Sequence, residues 1–391
     1  MFLRVSIAVI SKDLASELNL NARSLGLLGG AFFYSFALIQ VAMGLLLDRL
    51  GPRIIVPAFA FIGSAGSFLF ATGTSFDVMV FARVLMGLGM AAMLMGGFKV
   101  LTFSFPQTRF ATLAGTMVAI GTLGTLAAGS PLVWASSHFG WRSVFLLTGI
   151  MAFLLGIILY WTLRLPTFTT ADPSSEATSP PTIRTSMKLI LASFPFWQIA
   201  VLSFFRYGTL VSLQALWLGL YLIDVENFSP LQAGNVLIAL SVGYMVGSPL
   251  SGRLYDRFSH HGKVVIIIGL SVYTATLLPL LGIWQVKGDF SFMIIALAMG
   301  LFSTFGTMLY SEVKSLFPLS VAATAMTWVN FFVMLGGAVL IPFIGKLIEG
   351  YPHTNHTYPP EAYHLSFLIC LISMIVSLII YAIPYKSRDN V

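Results

Sequence analysis

Charge is scarce in this chain: Asp, Glu, Lys and Arg make up 9% of its 391 residues, against 57% hydrophobic residues and a mean hydropathy of +0.91. So small a charged complement could not keep the surface of a globule of this length wet, which excludes a soluble protein and leaves an integral membrane one. Cysteine is nearly absent as well. The single Cys370 lies inside an apolar run, so an internal disulfide is excluded. Also missing are the strings H-E-x-x-H, G-x-S-x-G and G-x-x-x-x-G-K. A membrane-embedded hydrolase, a metalloprotease and an ATPase therefore lack their chemistry, and neither catalytic residues nor a cofactor is expected. His353, His356 and His364 share one polar loop, but without Cys or closely placed carboxylates they predict a solvated loop and no metal site.

What the chain does have is apolar length. Runs of roughly 20 residues mean helices, since a barrel would show short alternating segments. They fall near 1–19, 24–47, 54–74, 77–103, 109–134, 142–163, 193–222, 230–252, 263–284, 290–313, 319–347 and 363–384, which makes twelve. The first is short. Lys12, Asp13 and Glu17 follow its apolar start and the next run has begun by Ser24. The expectation is that a natural N-terminal stretch of roughly 8–15 residues precedes Met1 and completes the span. Residues 164–188 are polar and proline-rich, and predict a flexible linker between a six-helix half, 1–163, and a second, 189–391.

Lys and Arg divide unevenly between the two sides of these runs. One side collects Arg49, Arg53, Arg109, Arg164, Arg184, Lys188, Arg253, Arg257, Lys263, Lys314, Lys386 and Arg388; the other has Lys12, Arg23, Arg142, Lys287 and Lys346. The richer side, with both termini, is expected in the cytoplasm of a bacterial inner membrane. The net charge of +7 is thus a topology signal, with the lipid bilayer as partner and no nucleic acid.

The second run ends in Gly44-Leu-Leu-Leu-Asp48-Arg49-Leu-Gly51-Pro-Arg53, and the pattern returns 208 residues later as Gly252-Arg-Leu-Tyr-Asp256-Arg257. At the same offset Asn21 falls on Ser229 and Gly26 on Gly234, so each copy opens on a helix-capping residue. Phe105-Pro106 and Gly124 recur 212 residues on, as Phe317-Pro318 and Gly336. The duplication therefore spans both halves. Gly44, Asp48, Arg49 and Arg53, with Gly252, Asp256 and Arg257, are candidate gating residues: an acidic-basic pair at a helix end can bond to neighbouring helix ends and release them cheaply.

Twelve helices in two halves, a polar central loop and the doubled G-x-x-x-D-R signature resemble the major facilitator superfamily over essentially the whole chain. The second copy departs from the pattern, with Ser259 and His261 where a Gly and a basic residue are expected. Leu3-Arg4-Val5-Ser6, Phe33-Tyr34, Gln40, Gly51-Pro52-Arg53, Lys99, Phe105-Pro106 and Arg109-Phe110-Ala111 look like bacterial facilitators related to lysosomal dipeptide transporters. Arg206-Tyr207-Gly208 looks like organophosphate and phosphate antiporters. That likeness implies that arginines of the first and seventh helices bind an anion.

Four cations lie within the apolar runs, Arg4, Arg83, Lys99 and Arg206, and no Asp or Glu lies near a helix centre. Ionisable groups inside a bilayer are costly and mark function, and an interior of unpaired cations attracts a carboxylate or phosphate. Arg206 is deepest, and Arg4 matches it if the first helix is completed. Lys99 is near enough to Phe105 to reach the membrane surface, and Arg83 reads as a structural anchor. On the seventh helix Arg206, Leu210, Leu213 and Trp217 share a face, with Gln214 beside it. The candidate substrate-binding set is Arg4, Arg206, Lys99, Gln214 and Trp217. The expected function is a monomeric secondary transporter of a small carboxylate- or phosphate-bearing solute, either an organic anion or an amino acid or short peptide, with a proton or a counter-anion as the open choices of coupling partner. The alternatives are multidrug or metabolite efflux, and a non-transporting receptor or scaffold.

Overall fold

The computed structural model describes residues 1–104, 117, 120–163, 183–258, 261–283, 286, 288–352 and 357–384. The segments around Phe105-Pro106 and Arg109, most of the 164–188 linker, and His353 and His356 lie outside them, as do the side chains of Gly44, Asp48, Arg49 and Asp256.

Among the described residues, twelve helical stretches, one for each expected apolar run, follow one another. In the first half they are α1 (Phe2–Val5 and Ile7–Leu18), α2 (Ala22–Leu50), α3 (Pro52–Thr72), α4 (Phe76–Ser104), α5 (Ser130–Phe139 at its end) and α6 (Trp141–Thr162). In the second they begin with α7, which runs Phe194–Ser212 and continues through a π turn, Leu213–Trp217, into Leu218–Asp224. Then come α8 (Pro230–Arg257), α9 (Gly262–Ala275), α10 (Asp289–Ser303, a 3-10 turn at Thr304–Met308, then Leu309–Leu316), α11 (Leu319–Glu349) and α12 (Pro360–Ala382). Ten of the twelve are long and apolar enough to cross a membrane by length and composition; α1 and the described part of α5 are shorter. The end of the expected linker differs from a flexible segment. From Ile183 it is helical as far as Leu191, because Met187 and Ile190 fall on one face and Ile190 is fully buried.

The helix ends follow from their residues. Asn21 Oδ1 accepts from the Ser24 amide at 2.9 Å, and Ser229 with Gln232 closes a reciprocal capping box at the start of α8. Gly51 joins α2 to α3 as a single residue at φ 74°, ψ 160°, a region open essentially only to glycine, which is why the first copy of the motif needs Gly there.

Burial decides which helices face lipid. Only 17% of the α6 span is buried, and Leu147, Ile150, Leu154 and Ile158 point outward at helical spacing. In α7, 83% is buried. This helix lies among α8, α10, α11 and α12, and its Gly208 meets Gly336 of α11, where a Cβ on Gly336 would come within 2.1 Å of the Phe204 carbonyl oxygen. The two halves meet along α2 and α11, and along α5 and α8, where the Ser130 hydroxyl donates to Asn235 Oδ1 at 2.5 Å.

Candidate substrate site

Two irregular turns face the middle of the bundle. The wide turn of α7 delays its rotation, so Gln214, not Leu213, continues the face begun by Arg206 and Leu210. The 3-10 turn of α10 carries Gly306 and Thr307 beside Arg206. Between them lies a cavity of about 180 Å³. Arg4 enters it from α1, Arg206, Tyr207 and Gln214 from α7, Ser241 and Tyr244 from α8, Thr307 and Tyr310 from α10, and Asn330 from α11. Thr122 and Thr125 of the fifth helical region complete its polar wall, and none of the described lining residues is acidic.

The two guanidiniums flank one ring. Arg4 Nη1 donates to the Tyr207 hydroxyl at 2.6 Å, and the Arg4 and Arg206 Cζ atoms lie 5.9 and 5.6 Å from the Tyr207 ring centroid. Arg206 is 2% exposed; Nη1 donates to the Ser303 carbonyl at 3.3 Å, and its Nε has no partner among the described residues. Arg4 Nε is likewise buried without one. Two delocalised cations with spare donors in a low-dielectric interior form a site that favours a planar, bidentate anion. Gly306 makes the space for this, since a Cβ there would stand 2.4 Å from Arg206 Nε. Gly306→Ala is therefore expected to displace the guanidinium and weaken anion binding about tenfold or more, one lost charge-assisted hydrogen bond, while the protein still elutes as a monodisperse peak. Titration calorimetry of the purified variant checks this.

The other candidates lie elsewhere. Trp217 is fully buried against α11, where its Nε1 donates to the Ile341 carbonyl at 3.0 Å, and the structure does not bring it to the cavity. The π turn is the reason, for it rotates residue 217 away from the Arg206 face. Lys99 is also outside the lining. Its ammonium donates at 2.9 Å to the Leu47 carbonyl in the last turn of α2, where a cation complements the helix dipole. Arg83 is completely buried and ties α4 to its neighbours, donating from Nη1 to Leu3 O at 2.5 Å and from Nε to Leu28 O at 3.3 Å. Arg53, Arg253 and Arg257 are exposed at the Gly51 end of the bundle, and Gly252 is half-buried there. The buried acid Glu312 accepts from the Tyr381 hydroxyl and does not line the cavity.

Residues 1–340 and 216–390 match the profile of the Major Facilitator Superfamily. The chain belongs to that superfamily. Among curated relatives, this facilitator is 27% identical over 313 residues to the 3-(3-hydroxy-phenyl)propionate transporter of Escherichia coli (strain K12), covering 78% of this chain and 71% of that one. It is 23% identical over 376 residues to the D-galactonate transporter of Escherichia coli O6:H1, with 89% and 86% covered. It is also 27% identical over 285 residues to the quinolone resistance protein NorA of Staphylococcus aureus (strain Mu50 / ATCC 700699), with 69% and 68% covered. In fold it resembles a bacterial homologue of the human lysosomal transporter Spinster in an inward-facing, unoccupied conformation. The TM-score is 0.78 at 18% identity, covering 97% of this chain and 92% of that one.

Facilitators work by moving one half against the other, so contacts between the halves matter, and the Asn21 end of this one is tied by a network absent from the candidate set. Lys12 of α1 forms an ion pair with Asp224 of α7, whose side chain is 1% exposed against 30% for Lys12. Tyr363 of α12 donates to the same carboxylate at 2.6 Å. Beside it, Glu349 at the end of α11 accepts the Ala22 amide at the start of α2 at 3.0 Å, and the Tyr358 hydroxyl at 2.9 Å. A carboxylate at a helix N-terminus meets both its unpaired amides and its dipole. Burial raises the Tyr358 phenol above its ordinary range, so it remains a donor. No signal in the sequence marks the ion pair: at the repeat offset of this region, 208, Lys12 falls on Leu220 and not on Asp224.

Proposed function

We propose that this facilitator is an alternating-access secondary transporter of a small organic anion, whose carboxylate or phosphate is gripped between Arg4 and Arg206. The observation that carries the reading is the pair of buried guanidiniums flanking Tyr207 in a central cavity whose described lining holds no acid. Relatives that carry an aromatic acid and a sugar acid support a carboxylate. A volume of about 180 Å³ is below the roughly 300–1,000 Å³ of sites for drug-sized ligands, so efflux of large drugs, the reading that the NorA likeness favours, requires a wider cavity. In this reading residues 1–163 and 189–391 are the two moving bodies. Lys12–Asp224 and Glu349 latch the Asn21 end, and Asp48, Arg49, Arg53, Asp256 and Arg257 latch the opposite, cytoplasmic end. Lys99, bonded one residue before Asp48, belongs with that second latch.

The test is counterflow in liposomes with the purified chain. Labelled organic acids should accumulate against an unlabelled pool of the same acid, and a lipophilic cation should not. Accumulation of the cation without any acid would reverse the assignment.

A further inference from the structure

We infer that the cargo carries a hydroxyl group as well as its anionic group, which makes it a hydroxylated organic acid and not an amino acid. The inference rests on the anion reading above and concerns the wall away from the arginines. Ser241 spends its hydroxyl hydrogen on the Leu237 carbonyl at 2.9 Å, so its oxygen can only accept, and it accepts from Gln214 Nε2 at 3.1 Å. That fixes the amide. Gln214 Oε1 is the remaining end, on the cavity wall of a residue 7% exposed, and no described residue donates to it. On the α10–α11 side, the Tyr310 hydroxyl donates to Asn330 Oδ1 at 2.9 Å, which leaves Asn330 Nδ2 as a donor without a described partner.

Beside the two cations and the hydroxyls of Tyr207 and Tyr244, the cavity thus offers an unspent acceptor on Gln214 and an unspent donor on Asn330. A carboxylate satisfies the cations and the Asn330 donor but has no hydrogen for Gln214. An ammonium could serve Gln214, yet its charge would sit beside two guanidiniums with no described acid in the lining to pair it. A hydroxyl both donates and accepts, so it matches both amides without adding charge. Sites built to bond a hydroxyl reject the analogue lacking it, because their own polar groups are then left unpaired.

The experiment is calorimetric titration of the purified full chain with matched probes: 3-hydroxybutyrate against butyrate, gluconate against hexanoate, and lactate against alanine. The hydroxylated member should bind at least about tenfold tighter in each pair that binds, the consequence of one unpaired buried polar group. Gln214→Leu should bring such a pair within about threefold, since the acceptor that tells its members apart is gone. Equal binding within every pair by the wild-type protein, or alanine ahead of lactate, overturns the hydroxyl inference and leaves the anion reading standing. Failure of every carboxylate to bind overturns the anion reading itself, and this inference with it. The wild-type comparison decides even if the variant does not fold.

Discussion

Arg206→Lys should reduce the kcat/KM for uptake of an organic anion by about 10- to 150-fold, the loss of roughly 1.5–3 kcal/mol of charge-assisted hydrogen bonding. The charge survives this change, so a purely electrostatic site would barely notice it. The geometry does not survive. Arg206 holds Ser303 O through Nη1 and fits against Gly306, in space shaped for a flat fork, and an ammonium there cannot bond two carboxylate oxygens in parallel. Arg206→Ala should cost at least as much. Tracer uptake in liposomes measures both variants, with thermal unfolding as the check on folding. If Arg206→Ala transports every anionic and zwitterionic solute tested while exporting a lipophilic cation, the anion reading fails and drug efflux replaces it.

Lys12→Met should open the Asn21 end more strongly than Asp224→Asn. Asp224 is almost wholly buried, so removing Lys12 leaves an uncompensated carboxylate, at a cost of about 3–5 kcal/mol to the closed state. Asp224→Asn removes the ion pair but keeps a neutral partner for Tyr363, and costs the closed state about 1.5–3 kcal/mol. Partial exposure of Lys12 places both effects at the lower end of those ranges. The readout is a cysteine introduced at Asn330, on the cavity wall, labelled by an impermeant maleimide from the Asn21 side; the native Cys370 is buried. Labelling should rise about tenfold or more for Lys12→Met, and exchanging the two residues, Lys12→Asp with Asp224→Lys, should restore protection. Unchanged labelling in Lys12→Met would show that the pair holds packing and not access.

The fold was legible because the bilayer restricts what a chain can do. Once each spanning segment must satisfy its own backbone, apolar length alone counts helices, and the doubled Gly44…Asp48-Arg49 pattern shows that one six-helix unit was written twice. Caps at Asn21 and Ser229 are local, three-residue interactions, and they formed where the residues stand. Arg4 and Arg206 stood out as candidates for the same reason, since an ionisable group inside a bilayer is costly. The site around them was not. Tyr244, Tyr310, Asn330 and Ser241 are ordinary residues on apolar helices, and only the packing of α7 against α8, α10 and α11 turns them toward one cavity. Trp217 shows the limit from the other side. A regular helix would have put it on the Arg206 face, and a single wide turn, invisible to periodicity, moved it to α11.

By itself, then, the sequence determined that this is a membrane transporter fold of two repeated halves with cations at its centre, because length, hydropathy and repeat offset are one-dimensional properties. The tertiary structure decided which cations share a cavity, which polar groups remain unspent around them, and that Lys12 meets Asp224. Those are relations between different helices, up to 212 residues apart in the chain, and only their crossing in three dimensions sets them.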